Sequence, residues 1–103
     1  MSGYQLEPLA NARIDEIYIY TRERWGEDQA WRYLRGLFDR FDAIADRRVP
    51  WRVIPADFGT RGYFCRYEHH TIYWKLLDNG LVGIVTILHE RMHRIDRLAD
   101  EME

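Results

Sequence analysis

The sequence contains a single cysteine, Cys65, among its 103 residues. One thiol can form no internal disulfide and cannot build a cysteine-based metal cluster. A basic excess is also missing, because 15 lysine and arginine residues stand against 17 aspartates and glutamates, which gives a net charge of −2. Small domains that bind nucleic acid usually carry a marked positive charge, since their affinity comes from neutralising phosphates. The composition therefore argues against direct, specific DNA binding by this chain.

Long apolar runs are missing as well. The longest one, residues 81–88, is far shorter than the ~20 residues that a membrane-spanning helix needs. The first ten residues contain neither the basic leader nor the apolar segment of a secretion signal. We therefore expect a cytoplasmic protein with no membrane segment.

Aromatic residues, by contrast, are abundant: the chain has 4 tryptophans, 7 tyrosines and 4 phenylalanines. This content excludes a disordered chain, and the length predicts one domain over residues 1–103. Four tryptophans are many for a core of this size, which favours some exposed ones at a protein-binding surface, where Trp and Tyr commonly anchor interfaces. The alternative is that they simply fill a small core.

The periodicity of the apolar residues predicts the first half of the fold. Residues 4–7 alternate with period two, which is typical of a strand. Helical spacing then extends over residues 8–25 and again over residues 30–45. Gly26 is suited to a left-handed helix end, and Pro50 is expected to stop the second helix. The short connection predicts an antiparallel helix hairpin.

Strand formers dominate the second half. Residues 49–62 are rich in proline and glycine and predict an ordered loop without regular structure. Three strands are predicted over residues 63–68, 71–77 and 81–88, and the last one is apolar on both faces, as in a strand covered from both sides. The motif Asp78-Asn79-Gly80 predicts a type I′ hairpin turn.

These elements predict an α+β fold. It consists of an N-terminal strand, an antiparallel helix hairpin and a three-stranded antiparallel meander, with the helices on one face of the sheet. Residues 94–103 are predicted as either a short terminal helix or a frayed end.

Residues 89–93, His-Glu-Arg-Met-His, match the pattern HExxH. In zinc hydrolases this pattern places two histidines one helical turn apart as metal ligands, with the glutamate as general base. Here His89 directly follows a predicted strand, so the spacing works only if a helix begins at once. The alternative is a chance match in a charged tail. Neighbours on a strand point to opposite faces, so His69 and His70 are not expected to chelate one metal together. One of the two is predicted to make a structural hydrogen bond rather than to act as a metal ligand.

An ordered set of short motifs extends over roughly residues 4–92. It comprises Tyr4-x-Leu6-x-Pro8-x-Ala10, Asp15-x-Ile17-x-x-Tyr20, Trp25-Gly26, Gly59-x-Arg61, His70-x-Ile72-Tyr73-Trp74 and Ile87-Leu88-His89-x-Arg91-Met92. With these motifs the chain resembles the ParE toxins of the ParE/RelE superfamily, the toxin components of bacterial type II toxin–antitoxin modules. The last motif favours the ParE branch of the superfamily.

The resemblance implies a toxin that inhibits DNA gyrase and so arrests replication. It also implies a ParD-like antitoxin with a ribbon-helix-helix domain, which neutralises the toxin in a hetero-oligomeric complex. RelE-like relatives instead cut mRNA on the ribosome, with clustered basic residues and commonly a tyrosine near the C-terminus. Here Lys75 is the single lysine and no tyrosine follows Tyr73. The resemblance therefore favours a target-binding toxin without chemistry of its own and without cofactor or metal, and the mRNA endonuclease remains the alternative.

Two groups of residues are the candidate sites. The candidates for target binding and toxicity are Arg61, His89, Arg91 and Met92. The candidates for antitoxin binding are Trp25, Trp31, Trp51, Tyr63 and Trp74. Arg61 lies between two glycines in a loop, where it can reach a phosphate or a carboxylate; the alternative is an ion pair with the helix hairpin.

Overall fold

The computed structural model describes residues 3–92 and 95–102, apart from the side chains of Met92 and of residues 95–97. Its elements are β1 (Tyr4–Leu6), α1 (Pro8–Trp25), α2 (Glu27–Ala45), β2 (Arg52–Val53), a 3-10 turn (Ala56–Phe58), β3 (Tyr63–Tyr67), β4 (His70–Leu76), β5 (Val82–His89), a second 3-10 turn (Glu90–Met92) and α3 (Ile95–Met102). None of the helices in the described ranges is both long and apolar enough to cross a membrane.

The five strands form one sheet in the order β1-β5-β4-β3-β2. β1 pairs parallel to β5, with Tyr4 opposite Val82, and the other neighbours are antiparallel. The α+β fold, the N-terminal strand and the meander of β3, β4 and β5 are confirmed. The prediction of a loop without regular structure over 49–62 is wrong for Arg52–Val53, which forms the edge strand β2 against β3. A two-residue strand is too short to show a periodic pattern in the sequence. It is recognised only by its hydrogen-bonded pairing with β3.

Apolar side chains cover both faces of the sheet. The helix hairpin packs on one face, where Leu34 and Phe41 of α2 join Ile72 and Ile84 of the sheet. This confirms the predicted position of the hairpin. The opposite face holds Tyr73 and Leu88 of the sheet together with Leu98 and Met102 of α3. Strand neighbours point to opposite faces, so β5 is covered from both sides, as its sequence predicts, and α3 supplies the second cover.

One glycine joins the two long helices. Gly26 adopts φ 95° and ψ 167°, so its φ is positive as expected, but it does not take the left-handed helical conformation predicted for it. Its N–H donates to the carbonyl oxygen of Arg22 at 2.9 Å, and its own carbonyl oxygen accepts the N–H of Ala30 at 3.1 Å. The single residue therefore ends α1 and begins α2, and this tight link forms the hairpin.

The end of α2 differs from the prediction. The helix stops at Ala45, five residues before Pro50, so the assignment of the stop to proline is wrong. The N–H of Arg48 donates to the carbonyl oxygen of Ala43, and that of Arg47 to Ile44, while Arg47 takes φ 61°. This is a Schellman motif, in which glycine usually occupies the left-handed position. An arginine in that position gave no signal in the sequence.

The hairpin between β4 and β5 is likewise not a type I′ turn. Gly80 has a positive φ of 86°, whereas the φ of Asn79 is not positive, as a type I′ turn would require. The N–H of Gly80 donates to the carbonyl oxygen of Leu77 at 2.9 Å, and the N–H of Leu77 donates to that of Leu81 at 2.8 Å. The loop therefore has three residues and ends in a left-handed glycine, which is the next most common hairpin geometry.

Candidate functional site

A groove of about 550 Å³ lies between α1 and the adjoining ends of β4 and β5. We call it the α1–β5 groove. It is lined by Ile17, Tyr20, Trp25 and Ile87, by Arg13, Arg24 and Arg91, by His69, His70 and His89, and by Glu16 and Glu90. Three of the residues singled out in the sequence, Trp25, His89 and Arg91, thus share one surface.

The local structure explains why these side chains meet. Ile17, Tyr20 and Arg24 are three and four residues apart on α1, so they lie on one face of the helix. His70 and His89 are opposite each other across β4 and β5. The groove therefore combines one helix face with the end of a strand pair. Tyr20 and Arg24 were not predicted as site residues, although their four-residue spacing is visible in the sequence.

Three histidine rings meet at the strand end. The His89 ring packs edge-on against His70, with ring centres 5.1 Å apart, and stacks with His69 at 6.4 Å. Nδ1 of His70 lies 2.6 Å from the Tyr33 hydroxyl. This hydrogen bond is the structural one expected for the histidine pair.

Burial sets the charge state of this hydrogen-bonded pair. It lowers the pKa of His70 to about 4, with smaller contributions from His89 and His69. Burial also raises the pKa of Tyr33 to about 12. Both side chains are therefore neutral near pH 7.

The carboxylates of the groove already have cationic partners. Glu16 pairs with Arg13 at 3.0 Å, and Glu90 pairs with Arg66 at 2.5 Å. Hydrogen bonds from His69 and from Arg66 lower the pKa of Glu90.

Two arginines of the groove, by contrast, have no carboxylate partner among the side chains that the structure describes. Neither Arg24 nor Arg91 forms an ion pair with any side chain that the structure describes, and Arg24 lies 5.3 Å from the ring centre of Tyr20. The groove therefore offers two cations beside an apolar wall.

The target-binding candidates do not form one cluster. His89 and Arg91 are neighbours in the groove, and the Arg91 backbone N–H donates to Nδ1 of His89 at 3.1 Å. Arg61 instead lines a separate depression with Lys75 and Leu76, at the other end of β4. Six strand steps separate the two ends of β4, a distance of about 20 Å. The Met92 side chain lies outside the described residues.

Arg61 forms no ion pair with the helix hairpin among the residues that the structure describes. The described residues therefore do not show the ion pair with the helix hairpin that is the alternative role of Arg61.

The antitoxin-binding candidates differ in exposure. Trp25 is 67% exposed at the groove, and Trp31 is 51% exposed on α2. Trp51 is half-buried, donates its indole N–H to the carbonyl oxygen of Ile44 at 2.9 Å, and packs on Tyr63. Trp74 is completely buried, so its prediction as a surface contact is wrong. The sequence pattern alone does not tell which of the tryptophans the fold covers.

The HExxH match does not have the geometry of a zinc site. His89 is the last residue of β5, and residues 90–92 form a 3-10 turn rather than an α-helix. His93 lies outside the described residues. Within the described ranges no three histidine, cysteine, aspartate or glutamate side chains are grouped to hold a metal ion. Glu90, the general base in that hypothesis, is paired with Arg66.

Comparison with known proteins gives consistent matches along almost the whole chain. The model of the family "ParE toxin of type II toxin-antitoxin system, parDE" matches residues 4–94. Toxin ParE1 of Mycobacterium tuberculosis is 36% identical over 97 residues, covering 93% of this chain and 96% of the relative. Toxin ParE of Escherichia coli is 32% identical over 103 residues, covering 100% and 99%. Toxin ParE1 of Caulobacter vibrioides is 31% identical over 94 residues, covering 90% and 94%.

Proposed function

The chain belongs to the ParE toxins of type II toxin–antitoxin systems, and we propose that it binds DNA gyrase in the cytoplasm and holds it in an unproductive state. A ParD-like antitoxin, with a ribbon-helix-helix domain, neutralises it in a hetero-oligomeric complex. The observation that carries the proposal is the convergence of His89, Arg91 and the exposed Trp25 in one groove. His89 and Arg91 belong to the motif that favours the ParE branch.

The chemistry of the groove supports binding rather than catalysis. Tryptophan, tyrosine and arginine are the side chains most enriched among the residues that dominate protein interfaces, and the groove exposes Trp25, Tyr20 and Arg91. A general acid or base works best with a pKa near the working pH. His70, with a pKa of about 4, does not meet this condition.

One observation favours a second candidate, an mRNA endonuclease. His69 and His89 stand beside Arg91 in the groove, and imidazole together with guanidinium can move a proton and stabilise phosphate charge. The two candidates differ in the molecule that is damaged, since a gyrase inhibitor alters DNA supercoiling whereas an endonuclease shortens mRNA.

Induced expression in a bacterial host tests the proposal. We expect the wild-type chain to arrest growth, to inhibit supercoiling by purified gyrase, and to leave mRNA intact. Arg91→Ala should lose these effects, whereas Arg48→Ala should retain them, since Arg48 is an exposed arginine that lies just after α2, outside the groove. Rapid mRNA cleavage with unchanged supercoiling would contradict the proposal and support the endonuclease. Co-expression with the product of the adjacent reading frame should restore growth.

A further inference from the structure

A second cavity of about 550 Å³ lies at the edge of the sheet, beside the start of the two-residue strand β2. We call it the β3-edge cavity. Three arginines from three elements line it, namely Arg40 of α2, Arg52 of β2 and Arg66 of β3. We propose that this cavity binds the terminal phosphate of a small phosphate monoester, such as a nucleoside 5′-monophosphate, between Arg40 and Arg52.

The fold brings these arginines to one point of β3. Arg52 lies opposite Phe64, and alternate residues of a strand share a face, so Arg52 and Arg66 are on the same face of the sheet. Arg40 reaches this edge from α2, where its guanidinium donates to the carbonyl oxygen of Arg66 at 2.6 Å. Burial raises the pKa of the Cys65 thiol, whereas the charge of Arg40, a hydrogen bond from Arg40 and the charge of Arg52 lower it. The guanidinium groups of Arg40 and Arg52 are therefore near the same sulfur atom.

The charge of the β3-edge cavity selects the kind of phosphate. Arg66 pairs with Glu90 at 2.5 Å, whereas neither Arg40 nor Arg52 forms an ion pair with a carboxylate that the structure describes. Two positive charges are thus left without a counter-charge from these side chains. A phosphate monoester carries about −1.5 to −2 near pH 7, whereas each diester linkage of a nucleic acid carries a single negative charge. Charge complementarity therefore favours the monoester, and guanidinium groups bind phosphate oxygens in a bidentate manner.

An apolar wall adjoins the arginines. Val49 and Pro50, which lie between α2 and β2, line the cavity together with the partly buried Phe64 of β3. The volume of about 550 Å³ lies within the roughly 300–1,000 Å³ of small-molecule pockets, which combine apolar walls with a few polar groups. The organic part of the ester can therefore pack on this wall, and an aromatic ring can pack against Phe64.

The β3-edge cavity does not depend on the proposed function. Its three arginines lie outside the set of residues that lines the α1–β5 groove, whereas Glu90 lines both. The Glu90 carboxylate is the acidic group on the cavity wall, where it pairs with Arg66 and repels a phosphate. Binding of the ester can therefore be measured on the purified toxin without gyrase and without the antitoxin.

Titration calorimetry of the full chain with four probes tests the ligand class. We expect adenosine 5′-monophosphate to bind more tightly than inorganic phosphate, because the apolar wall adds contacts to the base. Adenosine, which has no phosphate, and adenylyl-adenosine, which has one diester and no terminal phosphate, should each bind about tenfold more weakly or worse. Equal affinities for the monophosphate and the dinucleotide would overturn the assignment to a monoester. So would the lack of any binding of the monophosphate at millimolar concentration.

Matched arginine variants test the place of binding. Arg52→Ala should weaken the binding of adenosine 5′-monophosphate about tenfold or more, because it removes one of the two phosphate ligands. The controls are Arg35→Ala, at an exposed position of α2 outside the cavity, and Arg24→Ala, in the α1–β5 groove. Both should bind like the wild type, and thermal unfolding shows that each variant is folded. Binding that is lost in Arg24→Ala and kept in Arg52→Ala would place the phosphate in the groove and overturn the inference.

A gain of affinity and a map of the wild-type chain complete the test. Glu90→Gln should bind adenosine 5′-monophosphate severalfold more tightly, because it removes the carboxylate that competes for Arg66. In nuclear magnetic resonance spectra of the wild type, the ligand should shift the backbone amides of residues 64–66 and leave that of Trp25 unchanged. Weaker binding by Glu90→Gln, or shifts at Trp25 without shifts at residues 64–66, would overturn the inference.

Discussion

The hydroxyl of Tyr33 and Nδ1 of His70 share a hydrogen bond of 2.6 Å, which links α2 to β4. Burial keeps the His70 imidazole unprotonated by lowering its pKa from 6.5 to about 4. His89 and His69 add to the effect, whereas Glu90 opposes it. The contact beside the groove is therefore sensitive to acid.

Acid should weaken the fold through His70. The unfolded chain binds this proton near pH 6.5 and the native chain only near pH 4, so the stabilisation is present above pH 6.5 and is lost as the pH falls towards 4. One proton accounts for at most about 1.4 kcal/mol per pH unit. Urea unfolding of His70→Gln should therefore show a smaller loss of stability over this range than the wild type. Parallel curves for wild type and His70→Gln would refute the prediction.

Alanine at Gly36 should destabilise α2. Replacing glycine by alanine inside a helix usually stabilises it by about 1 kcal/mol. Here a Cβ atom would collide with the Tyr67 hydroxyl and lie 3.0 Å from its Cζ atom. We expect Gly36→Ala to lose about 1 kcal/mol or more of unfolding free energy, as overpacking does. In a Tyr67→Phe background the loss should shrink, and an unchanged loss there would show that the hydroxyl is not the cause.

Removal of the Glu101 carboxylate should detach α3. Glu101 pairs with Arg13 of α1 and accepts the Thr86 hydroxyl at 2.6 Å, and the side chains of Arg13 and Glu101 are only 12% and 11% exposed. Removing one partner of a buried ion pair lowers the free energy of unfolding by about 3 kcal/mol. We expect Glu101→Ala to lower stability by this order and to speed hydrogen exchange in residues 95–102. Glu16→Ala, which removes the exposed partner of the same arginine, should have an effect below about 1 kcal/mol.

Glycine at position 47 should give a more stable fold than alanine at the same position. Arg47 takes φ 61°, a left-handed value that costs roughly 1–2 kcal/mol for a residue with a Cβ atom. Its guanidinium lies 3.4 Å from the ring centre of Trp51, a contact that both variants lose. Arg47→Gly should therefore be about 1 kcal/mol more stable than Arg47→Ala in urea unfolding. Equal stabilities would show that the left-handed conformation is not strained here.

Arg61 should be dispensable for toxicity. It lies at the other end of β4 from His89 and Arg91, so it does not share their surface. We expect Arg61→Ala to arrest growth as the wild type does, measured beside Arg91→Ala in the same host. A loss of toxicity equal to that of Arg91→Ala would instead mean that the target covers both ends of the sheet.

The sequence predicts those parts of the fold that local patterns encode. The apolar spacing of α1 and α2, the positive φ of Gly26 and the two-sided apolar strand β5 are all visible along the chain. The edge strand β2 and the Schellman motif at Arg47 are not, since the first exists only through pairing with β3 and the second uses an arginine where glycine is usual.

The candidate site is less predictable because it is not local. Trp25 and Arg91 are distant in sequence and meet only when α1 packs against the end of β5. The same pattern-based reasoning that selected Trp25 also selected Trp74, which the helix hairpin covers. Residue type identifies aromatic anchors, but only the packing of α1 and α2 on the sheet decides which of them stay exposed.

The parallel pairing of β1 with β5 has a consequence for the order in which the protein is made. Tyr4 leaves the ribosome long before its partner Val82. Contacts between such distant residues form late and slow folding, because a long loop must close first. A nascent chain therefore carries α1 without the strand that completes the other wall of the groove. The assembled surface appears only after β5 has been translated.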